Sequence, residues 1–469
     1  MLRESVIARA AMALFVLVWA ISAHAQPHTA HQQLTFEIYK ELVEINTVTA
    51  TGDTAKAAAA MAARLRAAGF TAPDLQVFTP APRKGNLVAR LRGTGARKPI
   101  LLLAHIDVVP AKPEDWSVDP FKLIEKDGYY YGRGSGDDKY MAAVFVANLI
   151  RYRNEGYKPE RDIIVALTTD EENDDPDVVG IKWLLKNHRD LIDAEFALNE
   201  GGGVGLDKGR PLRVGVQTSE KVYMNYWLEV KDQGGHSSLP GRSNAIYRLA
   251  EGLVRLGKFD FPMKLNETTR TFLGRASAFE EAQTGADMRS AASAQPDPAA
   301  VARLSAQPRF NAQLRTTCTA TMLEGGHAMN ALPQTAKALV NCRVLPGEPL
   351  EEVQETLVRV VADDKIEVKK AHEPTLSAPS PLTPELMGAI EKLSAEFWPG
   401  TPVIPTMVAG ATDGSYLRNA GIPTYGHSGL ADEVTENRTH GRDERVMVKS
   451  FYQGQEYLYL LVKILAGGK

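Results

Sequence analysis

The sequence predicts an α/β protein. It has a three-layer catalytic domain, a largely parallel sheet with helices on both faces, and an inserted α+β lid domain. Three observations carry this. Short apolar runs at residues 87–91, 100–104, 163–168 and 196–198 alternate with segments of helical period, as in chains built from parallel strands and crossover helices. Near Thr218 the pattern switches to strands that alternate polar and apolar, beginning with residues 222–230, VYMNYWLEV. From about Glu373 the first character returns, so one domain is made of two segments with another between them.

Residues 1–25 read as a secretory leader. Arg3 and Arg9 flank its start, residues 10–21 are apolar, and Ala23-His24-Ala25 fits a small-x-small cleavage site, with Gln26 as the mature start. The alternative is an uncleaved anchor. The apolar run falls short of the ~18 residues a span needs, and no later stretch reaches that length. The expectation is an exported protein, periplasmic or secreted, with no stable membrane span after cleavage. Residues 26–469 are too many for one core. The expected division is 26–217 with 373–469 for one domain, and 218–372 for the insertion. The formal net charge is −3, and removing the leader makes it one unit more negative. With no basic run, nucleic acid is not an expected partner.

Helices are expected at residues 32–48 and 54–68, the second stopped by Gly69, and at 138–152. The inserted domain has strands at 222–230, 316–323, 338–344 and 366–370, and helices at 244–256 and 350–361. Residues 272–313, rich in Ala, Ser and Gln, read as decoration with little chemistry. The final segment supplies helices at 384–397, 412–419 and 449–465 and a strand at 403–405. The two cysteines, Cys318 and Cys342, lie in strand-like runs and can pair if those strands are neighbours. With only two cysteines and no CxxC motif, a thiolate zinc site is not expected, so any metal is expected on His and carboxylates.

Chemistry concentrates at strand ends. In LLLAHIDVVP, His105 and Asp107 are two apart on a strand and face the same way. GRGSGDDK places Asp137 and Asp138 at a helix start. LTTDEEN ends a strand in Asp170, Glu171 and Glu172, three acids that repel one another unless a cation sits nearby. FALNEGGG ends another in Glu200, followed by three glycines. Four histidines compete as a late ligand: His236, His327, His427 and His440. One His, a shared Asp, two Glu and a second His would form a two-metal site, able to polarise a carbonyl and acidify a water.

These motifs, in this order, resemble the M20 family of co-catalytic metallopeptidases. GGHSSLP and HAMNALP resemble its inserted lid, and ENRTHGRDERV its closing metal-histidine segment. The ending is most similar to the branch containing vacuolar carboxypeptidase S and the secreted N-acyl amino acid hydrolases. The resemblance implies that His105 and Glu200 bind one metal, Glu172 and His440 the other, and that Asp137 bridges them. It implies two Zn2+, with Co2+ or Mn2+ possible on the same ligands. Asp107 would clamp the His105 imidazole, Glu171 would move the proton from water to the leaving nitrogen, and His236 would help hold the oxyanion, in many members from a partner's lid. Asn330 and Arg343 match lid positions that touch substrate. Gly410 and Thr412 match a loop near the substrate carboxylate, with Ala411 a mild departure. The resemblance thus implies an amide hydrolase acting beside a C-terminal amino acid, a carboxypeptidase on peptides. The alternative is an N-acyl amino acid amidohydrolase. A homodimer through the lid and a non-catalytic binding protein also stand as readings.

Overall fold

The structure is a computed structural model and describes residues 28–173, 178–436 and 438–468. The leader with its cleavage site, and Asp174, Asp175 and Asp177 after the acidic run, lie outside the described residues. Among the described residues, no helix is long and apolar enough to cross a membrane.

The large sheet has ten strands. Its centre is parallel: Ile163–Thr168, Ile100–His105, Phe196–Asn199 and Thr424–Gly426 lie side by side and run the same way. All four are buried. The first three are largely apolar, which is why they read as continuous apolar runs, whereas the short Thr424–Gly426 carries no such pattern and is found only in the structure. Antiparallel strands extend both edges, Leu75–Ala81 with Lys84–Leu91 on one side and Val204–Asp207 with Arg210–Glu220 on the other. The helix Lys139–Asn154 lies against this sheet and is buried along almost its whole length. The terminal helix Val448–Ala466 packs against it, through Tyr152 and Tyr459, whose rings stack 5.0 Å apart.

The register of the parallel strands decides where chemistry gathers. His105 pairs with Thr168, and Leu102 with Leu198. The segments that follow Thr168 and Asn199 therefore leave the sheet at the same edge as His105. This is the carboxyl edge, where open α/β sheets place their sites.

Arg210–Glu220 belongs to the large sheet and Val222–Lys231 to a separate four-stranded antiparallel sheet, so the chain passes between them at Lys221. The small sheet has the order Thr317–Gly325, Thr335–Val344, Val222–Lys231, Ile366–Lys370. Helices Ala245–Gly257 and Leu350–Val361 cover it and share its own hydrophobic core. In its register Cys318 stands directly opposite Cys342, and the two form a disulfide. A three-stranded ladder joins Ile124–Lys126, Tyr129–Tyr131 and Arg445–Met447.

The segment that the sequence suggested was decoration forms four helices, from Glu267–Ala276 to Pro308–Leu314. They bury Leu273, Met288, Leu304 and Phe310 against Ile404 on the strand Val403–Val408. That strand pairs with Arg210–Glu220, so these helices cover the large sheet rather than the small one.

Candidate active site

His105 ends its strand, and its imidazole is buried. Asp137 lies on the loop before the helix Lys139–Asn154. One Asp137 oxygen, Oδ1, is 2.9 Å from His105 Nε2, and the other, Oδ2, is 3.1 Å from His440 Nε2. A single carboxylate thus separates the two imidazoles. Glu172 Oε1 is 2.7 Å from His440 Nε2, and Glu200 Oε1 is 3.9 Å from His105 Nε2. Ligand-type atoms of His105, Glu171 and Glu200 lie within 4.8 Å of one another, as do those of His105, Asp137 and Glu172. All six side chains that the sequence brought forward as ligands or base therefore meet at one place. The histidines competing with His440 do not. His427 is fully buried between the Gly215 carbonyl and the Tyr457 hydroxyl, at 2.9 and 3.1 Å.

Asp107 does more than face His105. Its carboxylate accepts the backbone N–H of Glu171 at Oδ1, 3.1 Å, and of Glu172 at Oδ2, 3.0 Å. His105 Nδ1 is 3.1 Å from the Asp107 carbonyl and 3.5 Å from its carboxylate. So Asp107 holds both the imidazole and the turn that presents the two glutamates. Asp170, first of the three acids, leaves the cluster: it has a positive φ of 59° and pairs with Lys84 Nζ at 2.6 Å.

The electrostatics fit a cationic guest. Burial raises Glu200 well above the usual carboxylate range, and the Asp137 and Glu171 charges add to it. Burial likewise raises Glu171, with His105 opposing and Asp413 and Glu172 adding. Asp137 goes the other way, because its hydrogen bonds to His105 and His440 outweigh burial. Those bonds from Asp137 and Glu172 push His440 up to about 10. Among the described residues no lysine or arginine pairs with Asp137, Glu171, Glu172 or Glu200. Four clustered carboxylates with only two imidazoles call for further positive charge. The donors are all nitrogen and oxygen, which suits Zn2+, Co2+ or Mn2+. The His440 side chain is 49 % exposed, so the cluster opens to solvent on that side.

The remaining expected residues divide into two places. Arg343 Nη1 donates to the Ala409 carbonyl at 3.2 Å, which puts it beside the loop that carries Gly410 and Thr412. The Thr412 hydroxyl is already engaged, donating to Glu220 Oε2 at 3.0 Å. His236 and Asn330 are brought together on the inserted unit. His236 pairs with Ala331 in a two-stranded ribbon, and the Asn330 carbonyl accepts the Ser237 N–H at 3.0 Å. Both are exposed, and His236 Nδ1 sits 2.7 Å from Ser238 Oγ. Among the described residues His236 touches none of the six cluster side chains.

A cavity of about 670 Å³ opens from Asp137 and Glu200 toward the four added helices. Phe272, Phe310 and Met407 line its far wall, beside the glycines after Glu200. Sequence reasoning missed this, because the helices carry no motif and touch the site only through the fold.

Residues 101–464 match the family described as Peptidase family M20/M25/M40. The chain belongs to this family. It is 30% identical over 379 residues to a probable carboxypeptidase S-like 2 of Dictyostelium discoideum, covering 78% of this chain and 71% of that one. It is 29% identical over 377 residues to the human N-fatty-acyl-amino acid synthase/hydrolase PM20D1, covering 78% and 74%. The fold superposes on an M20 family metallo-carboxypeptidase of Sulfolobus solfataricus with a TM-score of 0.66, at 18% identity, covering 92% of this chain and 99% of that one. This M20 chain is accordingly a metallohydrolase of the peptidase and amidohydrolase kind.

Proposed function

We propose that this M20 hydrolase cleaves the amide that joins an acyl group to an amino acid with a free carboxylate, as a carboxypeptidase on peptides. The observation that carries this is the Asp137 carboxylate, with one oxygen on each of two imidazoles and Glu172 and Glu200 on either side. Such a set would hold two cations, with His105 and Glu200 as ligands of one, Glu172 and His440 of the other, and Asp137 common to both. Bound there, two Zn2+ supply Lewis-acid polarisation of the amide carbonyl and make water more acidic. The chain's own groups do the rest. Glu171, raised by burial, takes a proton from water and returns it to the leaving nitrogen. Asp107 fixes the Glu171 and Glu172 amides, so base and ligand keep one geometry. Arg343 and the 410–412 loop stand together where a guanidinium and loop amides can read a carboxylate.

The cavity favours a second reading, an N-acyl amino acid amidohydrolase. Its lining includes Val408 but neither Arg343 nor residues 409–412. If the carboxylate lies at Arg343, the cavity is left for the acyl side, and its apolar part at Phe272, Phe310 and Met407, set among Arg213, Glu280 and Arg309, can take an aliphatic segment. Comparing kcat/KM for unblocked dipeptides, N-acylated dipeptides and N-fatty-acyl amino acids separates the readings. Preference for a peptide acyl side supports the first, and preference for long N-acyl groups the second. No hydrolysis of any of them would remove both.

We also propose that the small-sheet unit within residues 218–372, without the helices between Glu267 and Leu314, acts as a lid and that a second copy supplies His236. Supporting this, His236 is exposed and away from the cluster, and the edge strand Thr317–Gly325 exposes Met322 and Leu323. Export is proposed from the leader sequence, and the Cys318–Cys342 disulfide accords with an oxidising compartment. Sequencing the N-terminus of protein recovered outside the cytoplasm checks it: a start at Gln26 is expected, and a retained Met1 would contradict it.

A further inference from the structure

We infer that Arg133 and Glu444 form a positioning pair that sets the spacing between the shared carboxylate and the second histidine. The two loops concerned leave the same ladder, in which Tyr131 stands opposite Arg445. One loop, 132–138, carries Asp137, and the other, 438–444, carries His440. Each loop sends one charged side chain into the other. Glu444 Oε1 accepts the N–H groups of Gly136 and Asp137 at 2.9 and 3.2 Å, and its Oε2 accepts Gly134 N–H at 3.1 Å. Arg133 Nη2 donates to the carbonyls of His440 and Gly441, at 3.2 and 2.9 Å. The two side chains close the brace on each other, Nη1 to Oε2, at 2.6 Å. Both are buried, and the Arg133 guanidinium also lies 5.1 Å from the Trp116 ring centre.

The bonds run to the backbone of the very residues that approach each other. Glu444 holds the Asp137 amide, and Arg133 holds the His440 carbonyl, across the 3.1 Å between the two side chains. His440 has a positive φ of 62°, a conformation that a free loop of this sequence would leave readily. The brace keeps it there. Arg133 and Glu444 need touch no substrate to do this, and a neutral pair could not satisfy three amides and two carbonyls at once.

The inference rests on the two-cation reading, so its test counts cations first. Metal-stripped full-length protein is titrated with Zn2+ against a chromophoric chelator, as wild type, Arg133→Lys, Glu444→Gln and His440→Ala. Wild type is expected to take up two. Arg133→Lys, which frees the His440 carbonyl, should lose about 10- to 100-fold in affinity at one site, the one abolished by His440→Ala, and keep the other. Glu444→Gln, which also frees the Asp137 amide, should weaken that same site most and the other less. Excess Zn2+ should then restore most of their kcat. A brace variant that melts like metal-free wild type and binds both ions as wild type does would overturn the pair's role. So would equal weakening of both sites. Wild type taking up fewer than two ions would instead remove the two-cation reading. Should Glu444→Gln fail to fold, Arg133→Lys carries the same test, since it keeps the charge but cannot span Glu444 and both carbonyls.

Discussion

Glu171 and Glu172 are neighbours in the chain, yet one is assigned the proton and the other a cation. Asp107 makes this division possible by holding both amides, so that their side chains diverge from a fixed turn. Replacing Glu171 with Gln keeps the ligands and removes the base. Turnover should fall about 10²- to 10⁴-fold with cation content unchanged, as read by steady-state kinetics and metal analysis. Retained turnover would refute the assignment. His427 gives a prediction of a different kind. Burial lowers its pKa to about 4, while the unfolded imidazole titrates near the ordinary 6.5. The unfolded chain therefore binds the proton first. The stability that a neutral His427 provides is full above about pH 6.5 and is lost as pH falls toward 4, on the order of 3 kcal/mol in all. Thermal melts at pH 7 and pH 5 should differ less for His427→Gln than for wild type. At this scale the sequence was informative: His105, Asp137, Glu171, Glu172, Glu200 and His440 each stand in a motif. Arg133 and Glu444 stand in those same motifs, but their partners are backbone groups on another loop, which no side-chain pattern reveals. The engagement of Thr412 with Glu220 was hidden for the same reason.

Among the elements, three of the four buried parallel strands were legible because both of their faces are apolar; Thr424–Gly426 was not, being three residues long with Thr and Gly in it. The hairpin Val204–Asp207 and Arg210–Glu220 was not, because glycine, proline and charge interrupt its pattern. The edge strand Leu75–Ala81 was missed because little of it is buried. The glycines after Glu200 show how an element's ends are constrained. A Cβ on Gly202 would lie 2.4 Å from the carbonyl oxygens of both Gly215 and Gly426. The glycine is there so that three stretches of backbone can meet behind Glu200. Gly202→Ala should cost about 1–3 kcal/mol by denaturant titration and weaken cation binding through Glu200. An unchanged midpoint would show that the backbones can separate freely. The helices between Glu267 and Leu314 were legible as helices at most, and their place beside the cavity follows only from packing against Ile404.

For the whole molecule, the chain crosses from one sheet to the other at Lys221 and places His236 on the inserted unit, exposed and paired with Ala331 rather than with the base it would assist. The proposed second copy resolves this. Leu323→Lys, on the exposed edge strand, should leave the fold intact, shift sedimentation from dimer to monomer and lower kcat by reducing oxyanion support. A wild type that sediments as a monomer with full activity would rule the second copy out. Both proposals depend on the shared carboxylate. The most direct test is the number of Zn2+ per chain after equilibrium dialysis of wild type, His440→Ala and Asp137→Ala. The expected result is two for wild type, one for His440→Ala, and fewer than one for Asp137→Ala, because both cations lean on that side chain. Two ions retained by Asp137→Ala would contradict the account at its centre.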